Sequence, residues 1–229
     1  MSSSTPLKIT IVTVCKNSAK YIEETISSVL NQSYPNIEYI IVDGESTDGT
    51  IEIIKKYESS ITKWISEKDG SMYEAINKGI SMATGSYVMV LNSDDVLADT
   101  EVISKIAAEI NKKPLDYYYG NIIKRKNEKE KKTRMFTVNY LMLLLSKHAG
   151  FIPHPCLYIS LKTHHAIGGY NTKFKYSSDF DYILRMLKLK GVKGKHVQVY
   201  TTKFRMHDES ITASGKLIAD GKAVLEEHH

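Results

Sequence analysis

The sequence predicts an α/β protein built on a mostly parallel central sheet flanked by helices. Two observations carry that prediction. Over the first ~110 residues, short apolar β-type runs alternate with segments whose apolar residues recur at helical spacing. A polar cluster then follows each of four such runs: "CKN", "DGESTDG", "EKDG" and "NSDD". In open α/β sheets, ligands bind beyond the carboxyl ends of the strands. Four polar strand ends therefore predict one shared site.

The elements follow in order. "LKITIVTVC" (7–15) is a β-branched run suited to a buried strand. "NSAKYIEETISSVLNQ" carries Ile22, Ile26, Val29 and Leu30 at helical spacing, with Ser18 as its expected N-cap. "IEYIIVD" (37–43) is the second strand. Turn chemistry in "STDGT" leads to the helix "IEIIKKY", with Thr50 as its expected cap. A short strand is expected around Lys63–Ser66. "SMYEAINKGISMA" puts Met72, Ala75, Ile76, Gly79, Ile80 and Ala83 on one helical face. "GSYVMVLNSDD" reads as the fourth strand and "DTEVISKIAAEI" as another amphipathic helix.

The second half alternates less cleanly. Strands are expected at 115–123, "HPCLYIS" and "KHVQVYTTKFRMH". Helices are expected at "TVNYLMLLLS" and "SDFDYILRMLKLKG", the latter ended by Gly191. No internal repeat or low-complexity linker divides the chain, so residues 1–229 read as one domain. Within it, 7–110 form the regularly alternating half and 111–212 the less regular half. Residues 213–229 read as a tail, whose "LEEHH" is set aside as a tag remnant.

Composition narrows the function. The chain has 229 residues, 42% hydrophobic and 25% charged, with net charge +5. Residues 124–134 ("KRKNEKEKKTR") hold seven basic and two acidic residues, a net of +5 that equals the total for the whole chain. The remainder is neutral, which disfavours a nucleic-acid-binding face. The run reads as a solvated loop or hairpin tip, with an anionic membrane or acceptor patch as the minority reading. Two cysteines, Cys15 and Cys156, make neither a disulfide framework nor a zinc site. No segment reads as a secretory signal or membrane span, so a cytoplasmic location is expected.

Neither G-x-G-x-x-G nor G-x-x-x-x-G-K-[ST] occurs. A nucleotide held without a Gly-rich loop needs another partner for its phosphates. Mg²⁺ or Mn²⁺ takes few protein carboxylates and completes its shell with phosphate and water. The adjacent Asp94 and Asp95 at a strand end suit that task. A nucleotidyltransferase would need a Gly-rich basic signature near the first strand, which "TVCKNSAKY" lacks.

"IVTVCKN", "IIVDGESTDGT", "EKDGSMYEAINKGISMATGSYVMVLNSDD" and "SSDFDYILRM" together resemble the family 2 glycosyltransferases of the GT-A fold, in particular small bacterial enzymes of surface-polysaccharide synthesis. The resemblance runs from about Lys8 to about Thr212, and it implies that 7–110 bind the nucleotide sugar while 111–212 bind the acceptor and carry the base. It implies inverting transfer of a sugar from a nucleotide diphosphate donor, a UDP-sugar foremost, to a hydroxyl of a glycan or polyprenyl-linked acceptor. It places Asp43 and Asp69 against the nucleobase, with Thr13, Val14 and Lys16 bordering it. It turns Asn77 and Lys78 toward the diphosphate.

Asn92, Ser93 and Asp94 fall on the family's D-x-D motif. Asn92 replaces its first acid and is left to bind a ribose hydroxyl. Asp94 becomes the expected metal ligand, Asp95 a second ligand or an orienting group, and His207 a third contributor from "FRMHDESIT". Arg205 is assigned to the diphosphate. Asp179 aligns with the catalytic base and Asp181 with a second, structural or acceptor-orienting acid, while Ser178 replaces the preceding Glu. His154 is assigned to the acceptor cleft. The lost acids at 92 and 178 support one alternative: a catalytically weak member acting as a nucleotide-sugar-binding or scaffold subunit. A lipid-linked acceptor implies peripheral contact with the inner membrane face. Sugar, linkage and oligomeric state are left open.

Overall fold

The computed structural model describes residues 6–145, 152–207 and 216–228. Strand β1 (Ile9–Cys15) is buried at every position, as a β-branched run covered on both faces must be. Its alternate residues feed two cores. Val12 and Val14 face one, with Ile76 and Ile80, while Ile9 and Ile11 face the other, with Ile22, Ile26, Ile103 and Ile106. β1 pairs in parallel with β2 (Ile37–Asp43) and β4 (Tyr87–Asn92), and β3 (Lys63–Ser66) extends the sheet in parallel beyond β2. The register sets Cys15 opposite Asp43, Asp43 opposite Ser66 and Val14 opposite Asn92. The four strands therefore finish along one line.

Helices α1 (Ile22–Leu30), α2 (Thr50–Lys56), α3 (Met72–Ser81) and α4 (Val102–Lys112) fall where the apolar periodicity predicts them. α3 is closed at its start by two side chains, Ser71 and Glu74. Ser71 accepts the Glu74 N–H, and the Glu74 carboxylate accepts the Gly70 N–H at 2.8 Å. Gly79 lets α3 lie directly on the sheet, since a Cβ there would sit 2.4 Å from Val12 Cγ1.

Two expected caps differ. Residues 18–21 form a turn before α1, and the Ser18 carbonyl accepts from Tyr21 and Ile22. The Ser18 hydroxyl goes instead to the Ser93 hydroxyl at 2.9 Å. Thr50 is the first helical residue of α2, and the cap is Gly49 at φ +98°. The Thr50 hydroxyl accepts the Ser18 N–H at 2.7 Å and donates to Asp48 Oδ1 at 2.6 Å. Both hydroxyls are spent tying loops together.

The second half completes the same sheet. β6 (Tyr117–Lys126) and β7 (Lys129–Thr133) form a hairpin that carries the basic run at its exposed tip, and Asn127 takes φ +55° in the turn. α5 (Tyr140–Leu145) follows, and 146–148 of "YLMLLLSKH" lie outside the described residues. "HPC" is a single 3₁₀ turn, because Pro155 cannot donate to a ladder, and β8 (Leu157–Ser160) begins after it. α6 (Leu161–Ile167) is an element the sequence reading did not predict. It is too short to show a period, yet Ser160 caps its start and Gly168 at φ +88° ends it. α7 (Ser178–Lys188) stops three residues before Gly191, which sits in the following turn at φ +82°. β9 (Gly194–Arg205) and α8 (Lys216–His228) complete the chain, so the expected tail is largely helix.

The sheet order is β3-β2-β1-β4-β8-β6-β9-β5, with β7 outside β6. β5 (Val96–Leu97) decides the shape of the site. Directly after the Asp pair, it pairs antiparallel with β9, Val96 opposite Lys203. This curls the sheet and brings the end of β9 beside the end of β4. No described helix is long and apolar enough to cross a membrane.

Candidate active site

A cleft of about 810 Å³ opens at the carboxyl ends of β1 and β4. Val14, Lys16, Asp69, Asn92, Ser93 and Asp94 border it, together with His154, Asp179, Arg205 and His207 from the second half. Ten residues chosen from the sequence thus share one cavity.

The β4–β9 wall carries the acids. Asp94 Oδ2 lies 2.9 Å from His207 Nε2, and both side chains are partly exposed. The Tyr21 ring packs against the His207 ring and under the Arg205 guanidinium. Arg205 Nε donates to the Asp94 carbonyl at 2.9 Å. Asp95 is buried and turned away. Its Oδ1 accepts the Arg205 N–H at 2.8 Å and its Oδ2 accepts from the Asn92 amide at 3.0 Å. Burial and the Asp94 charge push its pKa up, against those two donors.

A divalent cation can be tested against this donor set. One carboxylate and one imidazole face the cleft together, and His207 Nδ1 is buried without a partner. Among the described residues no three His, Cys, Asp or Glu side chains gather to hold a metal alone. Asp94 and His207 therefore fit an ion that takes its remaining ligands from phosphate and water. Asp95 has no free oxygen and fits the orienting role instead. Residues 208–212 of "FRMHDESIT" lie outside the described residues.

Asp179 stands on the other wall, in the first turn of α7, where the helix dipole favours an anion. The Tyr73 hydroxyl donates to its Oδ1 at 3.3 Å, and His154 Nδ1 lies 3.5 Å from its Oδ2. Burial first, then the Asp179 charge, raises the Tyr73 pKa and keeps the phenol protonated. Asp220 on α8 accepts the N–H groups of Tyr176 and Ser177, which fixes the chain just before α7.

The remaining predicted residues do not line the cleft. Asp43 is fully buried and accepts from the Ser46 hydroxyl and N–H and from the Ser66 hydroxyl. Thr13 is buried inside β1 and accepts the Tyr39 hydroxyl. Asn77 binds the Tyr170 N–H and carbonyl at 2.7 and 2.8 Å, stapling α3 to the "GGY" turn. Lys78 pairs with Asp69 and Glu67 at 2.5 Å, which leaves Asp69 Oδ2 buried without a partner at the cleft edge. Asp181 is buried against Arg185 and His228. Sequence reasoning missed Tyr73, Tyr21 and Asp220 at the site, and read Ser18 only as a cap and Lys124 only as part of the basic run. Tyr73 reads as one more core aromatic, and no motif marks Tyr21 or Asp220.

The model of the family described as "Glycosyl transferase family 2" matches residues 10–206. A PGL/p-HBAD biosynthesis glycosyltransferase of Mycobacterium bovis is 26% identical over 192 residues, covering 82% of this chain and 73% of its own. Glycosyltransferase GlyG of Streptococcus pneumoniae is 33% identical over 116 residues, 49% of this chain and 38% of its own. Among solved structures, S. aureus TarS 1-349 in complex with UDP superposes with a TM-score of 0.73 at 19% identity, over 95% of this chain and 63% of that one. Mannosyltransferase PcManGT of Pyrobaculum calidifontis, in complex with GDP-Man and Mn²⁺, gives 0.66 at 17% identity over 86% and 57%. The chain thus spans about three fifths of the solved relatives it matches. The curled, largely parallel sheet is the GT-A architecture those relatives share. Because the family match runs from β1 through Met206, across both walls of the cleft, the chain belongs to glycosyl transferase family 2.

Proposed function

We propose that the protein transfers a sugar, with inversion, from a UDP-sugar to a hydroxyl of a glycan or polyprenyl-linked acceptor in polysaccharide synthesis. One observation carries this reading. Asp94 with His207 on one wall and Asp179 on the other face the same cleft at the strand ends. UDP in one structural relative and GDP-Man with Mn²⁺ in another support the donor class.

In this reading Asp179 takes the proton of the acceptor hydroxyl as that oxygen bonds to the anomeric carbon. The bond from that carbon to the diphosphate breaks, and its electron pair leaves with the diphosphate. Asp94 and His207 would hold Mn²⁺ or Mg²⁺, which would supply positive charge for that leaving group. Arg205 and Lys124 add fixed positive charge along the cleft. Asp69, Lys16 and Val14 border the nucleotide end, and Asp43 shapes the floor beneath it. Ser18 and Ser93 fix the loop between β4 and Asp94.

Thermal unfolding with UDP and Mn²⁺ tests the site. UDP at 100 times its Kd adds about 2.7 kcal/mol of stability, and we expect Asp94→Ala to abolish the metal-dependent part. Asp179→Asn is expected to lower kcat by about 10² or more while UDP binding holds. Metal-dependent stabilisation that survives in Asp94→Ala overturns the metal assignment, and normal turnover in Asp179→Asn overturns the base. The replaced acids Asn92 and Ser178 support a second reading, a nucleotide-sugar-binding subunit. UDP binding without transfer to any acceptor decides for it.

A cytoplasmic enzyme docked on the inner membrane face fits the surface. Phe136, Leu141, Met142 and Leu145 are exposed just after the basic hairpin.

A further inference from the structure

Asn92 occupies an acidic position of the family motif, and its contacts show what the amide does instead. Its NH₂ group donates to Asp95 Oδ2 at 3.0 Å. Asp95 Oδ1 accepts the Arg205 N–H at 2.8 Å, which holds the carboxyl group in place. That fixes the amide, and Asn92 Oδ1 faces His154 Nε2 at 2.9 Å. An amide oxygen can only accept, so Nε2 carries the hydrogen. The other ring nitrogen, Nδ1, lies 3.5 Å from Asp179 Oδ2. In the neutral ring Nδ1 presents a lone pair to the carboxylate. Two acceptors facing each other leave a place for one proton. The ring is 7% exposed and seated in the 3₁₀ turn between Pro153 and Pro155, so it cannot easily turn away.

We propose that His154 is a positioning residue for the base, whose Nδ1 receives the proton that Asp179 removes from the acceptor. The inference rests on the reading of Asp179 as the base. The acceptor O–H bond breaks, and its proton passes to the carboxylate and on to Nδ1. The acceptor oxygen bonds to the anomeric carbon, and the sugar–diphosphate bond breaks with its electron pair on the diphosphate. His154 ends as an imidazolium beside an ionised Asp179.

The reason is one of matching. A free imidazole holds a proton roughly 400-fold more firmly than a free aspartate, much nearer the strength useful at neutral pH. Asn92 enforces the tautomer without the further carboxylate that an aspartate would set beside Asp95. The other groups facing the pair are few. Tyr73 bonds Asp179 Oδ1, and Tyr170 lies behind it with burial raising its pKa. Asp95 stands behind Asn92, and Lys124, Arg205 and His207 border the same cleft.

The test uses the full chain with a panel of UDP-sugars and Mn²⁺, measuring kcat/KM between pH 4.5 and 8.5. His154→Gln is expected to lower kcat 10- to 100-fold, leave the donor KM within twofold, and move the acid limb down by more than one pH unit. An acid limb that stays in place overturns the proposal, even if kcat falls. A second arm needs no turnover: ¹⁵N NMR of the His154 ring in the metal-free wild-type protein. It should show the Nε2–H tautomer, and the Nδ1 resonance should shift in Asp179→Asn. An Nδ1–H tautomer, or an Nδ1 resonance indifferent to Asp179→Asn, overturns the pairing. If the wild-type protein transferred no sugar at all, the functional reading would fail while the NMR arm still judged the pair.

Discussion

His164 Nδ1 lies 2.8 Å from the Tyr182 hydroxyl, in a ring that is 7% exposed on α6. Burial, then the charges of His165 and Arg185, lowers its pKa to about 4. The unfolded chain binds this proton near pH 6.5, so between pH 6.5 and 4 it binds more protons than the folded protein. The stabilisation is complete above pH 6.5 and is lost as pH falls toward 4. The full loss is on the order of 3 kcal/mol at 1.36 kcal/mol per unit. Thermal melts at pH 7 and 4.5 should show a smaller Tm difference for His164→Gln than for the wild type. An unchanged difference would assign the acid sensitivity elsewhere. At this scale the sequence named Asp94, Asp179 and His207 from motif positions, and all three face the cleft. It could not foresee that Asn77 spends its amide on Tyr170, because that partner lies 93 residues away.

Helix α3 links the core to the site. Gly79 packs it on β1, and its first turn presents Tyr73 to Asp179. Gly79→Ala would press a methyl to 2.4 Å from Val12 Cγ1 and 3.2 Å from Val42 Cγ2. We expect a cost of about 1–3 kcal/mol, read as a drop in denaturation midpoint at constant m-value. The same melt in Gly191→Ala should show no clash but about 1–2 kcal/mol of backbone strain, since nothing lies within 4 Å of a Cβ there and φ is +82°. Helix α8 acts on the other wall. Asp220→Ala strips the acceptor from two backbone N–H groups ahead of α7 and should cost about 1–2 kcal/mol. It should also lower kcat more than it raises the donor KM, because the segment it releases carries Asp179. Equal kcat in that variant would confine Asp220 to stability. The periodicity of α3 and α7 was plain in the sequence. α6 was not, because seven residues make only two turns.

Over the whole molecule, the positive charge is concentrated in one hairpin, and the exposed apolar side chains follow it. Leu141 and Leu145, 61% and 68% exposed and four residues apart, point to the same side of α5, while Leu143 is buried. Basic residues beside exposed apolar ones suit an anionic lipid surface. The protein is expected to float with phosphatidylglycerol vesicles at low salt and not with phosphatidylcholine vesicles. Leu141→Glu with Leu145→Glu should leave it in the soluble fraction. Equal flotation of that double variant would remove α5 from the contact.

The order of strands and helices from β1 to β4, the parallel half of the sheet and the polar strand ends were written in local patterns. Burial on both faces selects continuous apolar strands, and a 3.6-residue period selects helices. The tertiary structure alone decided which polar residues became a site. β5 folds β9 against β4 and sets His207 beside Asp94, 113 residues apart. The 3₁₀ turn sets His154 between Asn92 and Asp179. Such contacts follow from how the sheet curls and packs, and no local pattern encodes a partner that distant in the chain.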